Sequence, residues 1–211
     1  MIVTKDLKIE YSGSKQLSFQ NLSINEGEQW LLKGDSGTGK TTLLHLLSGI
    51  LTPTSGSIKV NGVYINELGQ SENDQFRAKN IGLIFQKNLF VSSLNMLNNL
   101  SVAQKLAGSN VDEEYIHHLT DELNITKLIH KRPHELSQGE QQRFSIARAL
   151  VNQPKIILAD EPTSSLDNSN CNRFADIISQ VCTMHKVTLL IATHDHRLDS
   201  RIDNLINLNQ Q

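Results

Sequence analysis

The residues Gly34-Asp35-Ser36-Gly37-Thr38-Gly39-Lys40-Thr41-Thr42 place glycine, lysine and threonine at the spacing G-x-x-x-x-G-K-[ST]. A glycine-rich turn lets successive backbone N–H groups converge on an anion, and a helix opening behind it adds partial positive charge. Lys40 then suits the terminal phosphates of a nucleotide, and the Thr41 hydroxyl suits Mg²⁺. The plainer reading is a tight strand-to-helix turn rich in glycine. The Lys40–Thr41 pair in register, after an apolar strand and before a helix pattern, favours the phosphate site.

Two more groups invite chemistry. Asp160 and Glu161 end the apolar run Ile156-Ile157-Leu158-Ala159, where open α/β sheets bind ligands. Asp160 suits a Mg²⁺-associated carboxylate, and Glu161 suits taking a proton from an attacking water. Alone, acidic residues at a strand end are as often loop solvation. The stretch His134 to Arg143, HELSQGEQQR, pairs Ser137 with Glu140 three residues later, a capping box opening a helix. It also looks like half of a second anion site, with no lysine of its own.

The elements that position these groups follow from periodicity. Strand patterns run over Ile2 to Ile9, Leu17 to Ile24 and Gln29 to Lys33, separated by the turns Ser12-Gly13-Ser14 and Asn25-Glu26-Gly27. Gly39 to Ser48 reads as a helix stopped by Gly49, and Gly56 to Ile65 as a hairpin about Asn61-Gly62. Ile81 to Phe85 is a short apolar run. From Leu94 to Leu150 the period is helical, clearest over Val111 to Ile129. Lys155 to Ala159 and Val187 to Thr193 flank a helix pattern over Ser169 to His185, and Asn204 to Leu208 is a last strand candidate. Strands alternating with helices in this way predict a parallel sheet covered on both faces, with a helical block inserted into it.

The chain has 211 residues, 38% of them apolar and 20% charged, which supports a packed core. Its net charge is −2, with no Lys/Arg-rich run, so the electrostatics of a nucleic-acid binder are missing. Cys171 and Cys182 have no metal spacing and read as reduced, partly buried thiols. His194 and His196 form a His-x-His pair, but no third ligand with suitable spacing is evident. No apolar run reaches the length of a bilayer span, and the N-terminus has no apolar signal core.

Together these motifs resemble the ATP-binding subunits of ABC transporters, over nearly the whole chain and in the expected order. Gln86 matches the Q-loop glutamine. Leu136-Ser137-Gln138-Gly139-Glu140 matches the signature motif, Ser164-Ser165-Leu166-Asp167 the D-loop, and His194 the switch histidine. Tyr11 falls where the family stacks an aromatic residue on adenine. The resemblance implies a P-loop ATPase fold: a mainly parallel sheet with helices on both faces, an N-terminal antiparallel β subdomain and an inserted helical subdomain. Residues 1–86 and 155–211 form the core and β subdomain of this single domain, and 87–154 the helical part.

The resemblance further implies a head-to-tail dimer, with each ATP between one P-loop and the other chain's signature helix. Gly34 to Thr42 and Tyr11 bind it on one side; Ser137, Gln138, Gly139, Glu140 and Asp167 on the other. Mg²⁺ falls to Thr41, Asp160 and Gln86, and catalysis to Glu161, His194 and Gln86. A transmembrane permease subunit is the implied partner, placing the chain on the inner face of the cell membrane without insertion. The segment Lys87 to Leu100 is the candidate surface for it. Gln138 and Glu140 depart from the commoner glycine and glutamine of the signature.

The pattern is closest to ATPases of macrolide exporters, lipoprotein-releasing complexes and the cell-division ABC complex, and an end at Gln211 without an added domain agrees. ABC ATPases that act on DNA or ribosomes are the alternative, but they usually carry coiled-coil insertions or two fused units. A regulatory ATP-binding module with little turnover is a third reading.

Overall fold

The computed structural model describes residues 1–11 and 16–208; the expected turn Ser12-Gly13-Ser14 and the end at Gln211 lie outside the described residues. In chain order come strands β1 (Ile2–Glu10), β2 (Gln16–Ser18), β3 (Ser23–Ile24) and β4 (Gln29–Lys33), then helix α1 (Lys40–Leu47). Strands β5 (Ser55–Val60) and β6 (Val63–Tyr64), helix α2 (Gln70–Asn80) and strand β7 (Ile81–Ile84) follow. Helices α3 (Met96–Leu106), α4 (Glu113–Glu122) and α5 (Gln138–Leu150) precede β8 (Ile156–Asp160), α6 (Asn168–Met184), β9 (Thr188–Ala192) and β10 (Asn204–Asn207).

Two sheets result. One runs β10-β4-β9-β8-β7 with every neighbouring pair parallel. The other is antiparallel, in the order β2-β1-β5-β6 with β3 also on β1. Strands β7, β8 and β9 are apolar almost throughout because both faces are buried, whereas the edge strand β10 exposes Asn204, Leu205 and Asn207; the pleat divides the buried side chains between two cores. Leu31, Ile157, Ala159, Leu189 and Ile191 pack with α3, α4, α5 and α6. Leu32, Ile156, Leu158, Leu190 and Ala192 face the other way, onto α1 and the antiparallel sheet.

One sequence expectation changes, and one helix lies where the sequence predicts no element. The run Leu17 to Ile24 breaks into β2 and β3, because the backbone between them turns to β1: the Phe19 amide donates to the Leu7 carbonyl at 2.9 Å, and the Leu22 amide to the Thr4 hydroxyl at 2.9 Å. Helix α2 has no apolar periodicity to announce it and no fully buried residue. Glu72 caps it by accepting from the Gly69 amide at 3.0 Å, and Phe76 attaches it to the core. The turn at Asn61-Gly62 has positive φ at both residues, +48° and +85°, the backbone its sequence predicts. Both cysteines are free and buried on α6, and burial pushes the Cys182 thiol up to about 12. Among the described residues no helix is long and apolar enough to cross a membrane.

Candidate active site

Parallel pairing brings the C-terminal ends of β4, β9, β8 and β7 to one edge. The register pairs Leu32 with Ala192, Asp160 with Ala192, and Ile84 with Ala159. The residues that follow each strand therefore meet: the glycine-rich loop after β4, His194 after β9, Glu161 after β8 and Gln86 after β7. They line an open cleft of about 560 Å³ that includes Asp35, Ser36, Gly37, Gly39, Lys40, Thr41, Thr42, Gln86, Glu161 and His194.

The loop closes on itself before α1. Thr38 donates from both its amide, at 3.3 Å, and its hydroxyl, at 3.0 Å, to the Asp35 carbonyl. Gly39 caps α1 at φ +96°, a left-handed conformation that suits glycine. The Lys40 ammonium, 7% exposed, donates to the carbonyls of Gly34 at 2.7 Å and Asp35 at 3.0 Å. It also lies 3.7 Å from Glu161 Oε1. The charge is thus held beneath the loop, at the mouth of the α1 N-terminus.

Thr41 Oγ1 donates to Asp160 Oδ2 at 2.8 Å, while Asp160 Oδ1 is buried without a partner. Burial raises the Asp160 carboxyl above its ordinary range, and the charge of Glu161 adds to this, against the hydrogen bond from Thr41. A buried carboxylate oxygen left without a donor, beside a hydroxyl, is a hard-oxygen set of the kind that holds Mg²⁺.

Glu161 takes φ +46°, which is costly for a residue with a Cβ and persists only where neighbours enforce it. Its amide donates to Ala192 O at 2.8 Å. Its carboxylate faces His194 Nδ1 at 2.9 Å through Oε1 and accepts from the Thr193 hydroxyl at 3.1 Å through Oε2. Thr193 is fully buried and was not singled out by its sequence position; a polar residue closing an apolar strand before His194 was the available signal. His196 points elsewhere, to Asp199 at 3.0 Å, so the His-x-His pair does not converge. Tyr11, 40% exposed, places its hydroxyl 3.2 Å from Thr42 Oγ1.

Ser137, Gln138, Gly139, Glu140 and Asp167 do not line this cleft. The capping box forms as the sequence requires: Glu140 Oε2 accepts from the Ser137 amide at 2.7 Å and hydroxyl at 2.8 Å, and Ser137 caps α5. These bonds hold the Glu140 carboxyl below its usual range. Gln138 Nε2 donates to the Ser165 carbonyl and hydroxyl, each at 3.0 Å. Asp167 caps α6 by accepting from the Asn170 amide at 2.8 Å. The chain therefore carries two anion-suited helix starts, only one of them equipped with lysine and carboxylates.

A family model described as ABC transporter matches residues 17–164. The chain belongs to the ABC transporter ATP-binding family. Among curated relatives of this ABC ATPase, the lipoprotein-releasing system ATP-binding protein LolD of Wigglesworthia glossinidia brevipalpis is 36% identical over 208 residues, covering 98% of this chain and 91% of that protein. LolD of Rickettsia bellii is 38% identical over 191 residues, covering 89% and 84%. A solved dimeric structure of MJ0796, a bacterial ABC transporter cassette, matches with TM-score 0.87 at 29% identity, over 100% of this chain and 95% of that one. The same cassette in a post-hydrolysis state bound to ADP and Pi matches with TM-score 0.86 at 29% identity, over 99% and 94%. This ABC ATPase binds ATP and hydrolyses it to ADP and phosphate.

The segment Lys87 to Leu100, expected to meet a permease, is partly exposed and partly packed. Leu89 and Val91 are exposed, at 59% and 48%, but Phe90 and Leu97 pack on the core. The cavity in this region, about 260 Å³, extends beyond the expected segment to Phe85, Ala103, Leu106 and Arg148. Leu106, 77% exposed on its rim, lies outside Lys87 to Leu100.

Proposed function

We propose that this ABC ATPase works as a head-to-tail dimer of the lipoprotein-releasing type, converting ATP hydrolysis into motion of a separate transmembrane subunit. One observation carries the reading. The glycine-rich cleft and the Ser137–Glu140 helix start are separate on one chain, and a twofold, self-complementary interface is what joins such halves.

In this reading the loop amides and Lys40 hold the phosphates on one chain, with Tyr11 at the base. Ser137 and Gly139 of the second chain, at the N-terminus of α5, cover the γ-phosphate, with Gln138, Glu140 and Asp167 beside it. Thr41, Asp160 and Gln86 would hold Mg²⁺, which supplies charge neutralisation on the phosphate oxygens. Glu161 orients a water and accepts its proton as that oxygen bonds to the γ-phosphorus and the bond to ADP breaks. His194, now on Glu161, contacts the γ-phosphate when ATP occupies the cleft.

Residues 87–154 act as the moving helical body, reached through Gln86 at the end of β7. The apolar cavity at Phe85, Leu89 and Leu106 receives the permease, which places the chain peripherally on the inner face of the cell membrane. The names of the curated relatives support the lipoprotein-releasing subgroup.

The test is Glu161→Gln. We expect turnover to fall at least ~1,000-fold, within the range for loss of a general base combined with lost positioning. An ATP-bound dimer should accumulate, measured by light scattering with and without ATP. A variant that stays monomeric and hydrolyses ATP at the wild-type rate removes the assignment.

A further inference from the structure

The turn after the switch histidine carries a charged cluster outside the cleft lining, and Arg197 is its centre. Its guanidinium makes contacts in two directions. Toward its own turn, Nε donates to Asp195 Oδ1 at 2.9 Å and Oδ2 at 3.0 Å, and Nη2 donates to Oδ2 at 2.7 Å. Toward the loop between β8 and α6 and the first residue of α6, Nη2 donates to the Thr163 carbonyl at 3.1 Å, and Nη1 to the Leu166 carbonyl and Asn168 Oδ1, each at 3.0 Å. The planar fork of arginine suits such a multi-point contact, and lysine does not.

Asp195 extends the connection. It accepts from the buried Thr163 hydroxyl at 2.7 Å, and its amide donates to Thr193 Oγ1 at 2.9 Å. Thr193 in turn donates its hydroxyl proton to Glu161 Oε2 at 3.1 Å. The turn is also fixed from the glycine-rich loop's own strand: the buried Lys33 donates to the Asp195 carbonyl at 2.7 Å and pairs with Asp199. A continuous hydrogen-bonded line therefore runs from the loop at Thr163, Leu166 and Asn168 to the carboxylate of Glu161. The same loop takes the two bonds from Gln138 at Ser165.

We infer that Arg197 is a positioning residue for ATP hydrolysis, holding the 163–168 loop against the turn that orients the Glu161 carboxylate. It acts through Asp195 and Thr193 rather than on ATP. Gln138 also bonds this loop at Ser165, so the Ser137 helix start and the Glu161 turn are held by the same segment. The inference rests on Glu161 as the base.

The experiment measures kcat and KM for ATP in the full chain carrying Arg197→Ala, Arg197→Lys, Asn168→Ala or Arg197→Ala with Asn168→Ala. Misplacing a reacting group by an ångström costs up to about 100-fold, so kcat of Arg197→Ala should fall roughly 10- to 100-fold while KM moves by less than about threefold. Arg197→Lys should fall nearly as far. Asn168→Ala should lose a few-fold, and the double variant should be no slower than Arg197→Ala alone. Should Arg197→Ala fail to fold, the lysine variant and Asn168→Ala still decide. Unchanged kcat, full recovery with lysine, or additive losses would overturn the inference. Glu161→Gln in the same assay separates the two readings. If it retains turnover the assignment of the base fails, whereas inactive Glu161→Gln beside wild-type-like Arg197→Ala removes only the role of Arg197.

Discussion

Asp195 shows how a residue next to the proposed switch histidine acquires a pH signature. The hydrogen bonds from Arg197 hold its carboxyl well below the usual carboxylate range, and the Thr163 hydroxyl adds to them against the opposing effect of burial. A depressed folded pKa contributes stability that is present above the unfolded value, about 3.9 for aspartate. It is lost as pH falls through the folded value. Asp195→Asn keeps the shape and removes the charge, so it should melt below wild type at neutral pH. The gap should narrow on acidification below about pH 4, followed by calorimetry without nucleotide. A gap that stays constant to the acid limit would locate the loss in packing rather than in the carboxylate charge. At the same scale, the left-handed φ of Glu161 and the orphaned oxygen of Asp160 are local costs, kept at the end of a strand otherwise optimised for burial.

At the scale of elements, the close approach of α5 to β7 fixes how the signature helix sits on the sheet. A Cβ on Gly82 would lie 2.4 Å from the Ala149 carbonyl oxygen and 3.0 Å from its carbon, and backbone cannot step aside as a flexible side chain can. Overpacking of this kind costs about 1–3 kcal/mol. Gly82→Ala should therefore lower Tm by roughly 2–12 °C in a chain of this size, where an ordinary strand Gly→Ala change would be neutral or stabilising. An unchanged Tm would mean that α5 rides on β7 more loosely than the geometry states. Much of this arrangement was legible beforehand. The apolar runs gave the parallel strands because burial on both faces leaves no polar alternation, and the glycine-rich loop named its own helix. The path of the chain between β2 and β3 was not legible, since the pairing with β1 that breaks it is long-range. Helix α2 escaped because capping and charge, not an apolar stripe, sustain it. Asp160, Glu161 and His194 could be read from strand ends, whereas Arg197 and Thr193 could not, because their meaning lies in contacts across some 30 residues of sequence.

At the scale of the whole molecule, the proposed arrangement gives each chain two unlike halves of a site. Ser137→Arg puts a bulky side chain, and a positive charge that a helix N-terminus disfavours, at the helix start that should meet a phosphate held by a second chain, yet leaves the glycine-rich cleft of its own chain intact. Lys40→Ala does the reverse, weakening the cleft and sparing the helix start. With Glu161→Gln in both, neither chain alone should form an ATP-dependent dimer. Mixed, they can pair so that the cleft of the Ser137→Arg chain faces the helix start of the Lys40→Ala chain, completing one site of the two. Because neither homodimer closes on ATP, the ATP-dependent dimers are mixed, with one intact site of two in each, so up to roughly half of the wild-type nucleotide should be retained. Retained ATP and dimer mass, read together on a sizing column, check this. A cis arrangement, in which one chain completes its own site, predicts instead that mixing changes nothing beyond the sum of the two separate samples. Mixed chains that form no ATP-dependent dimer and retain no more ATP than the two separate samples would therefore end the head-to-tail reading, while leaving the cleft chemistry of Lys40, Thr41 and Asp160 untouched.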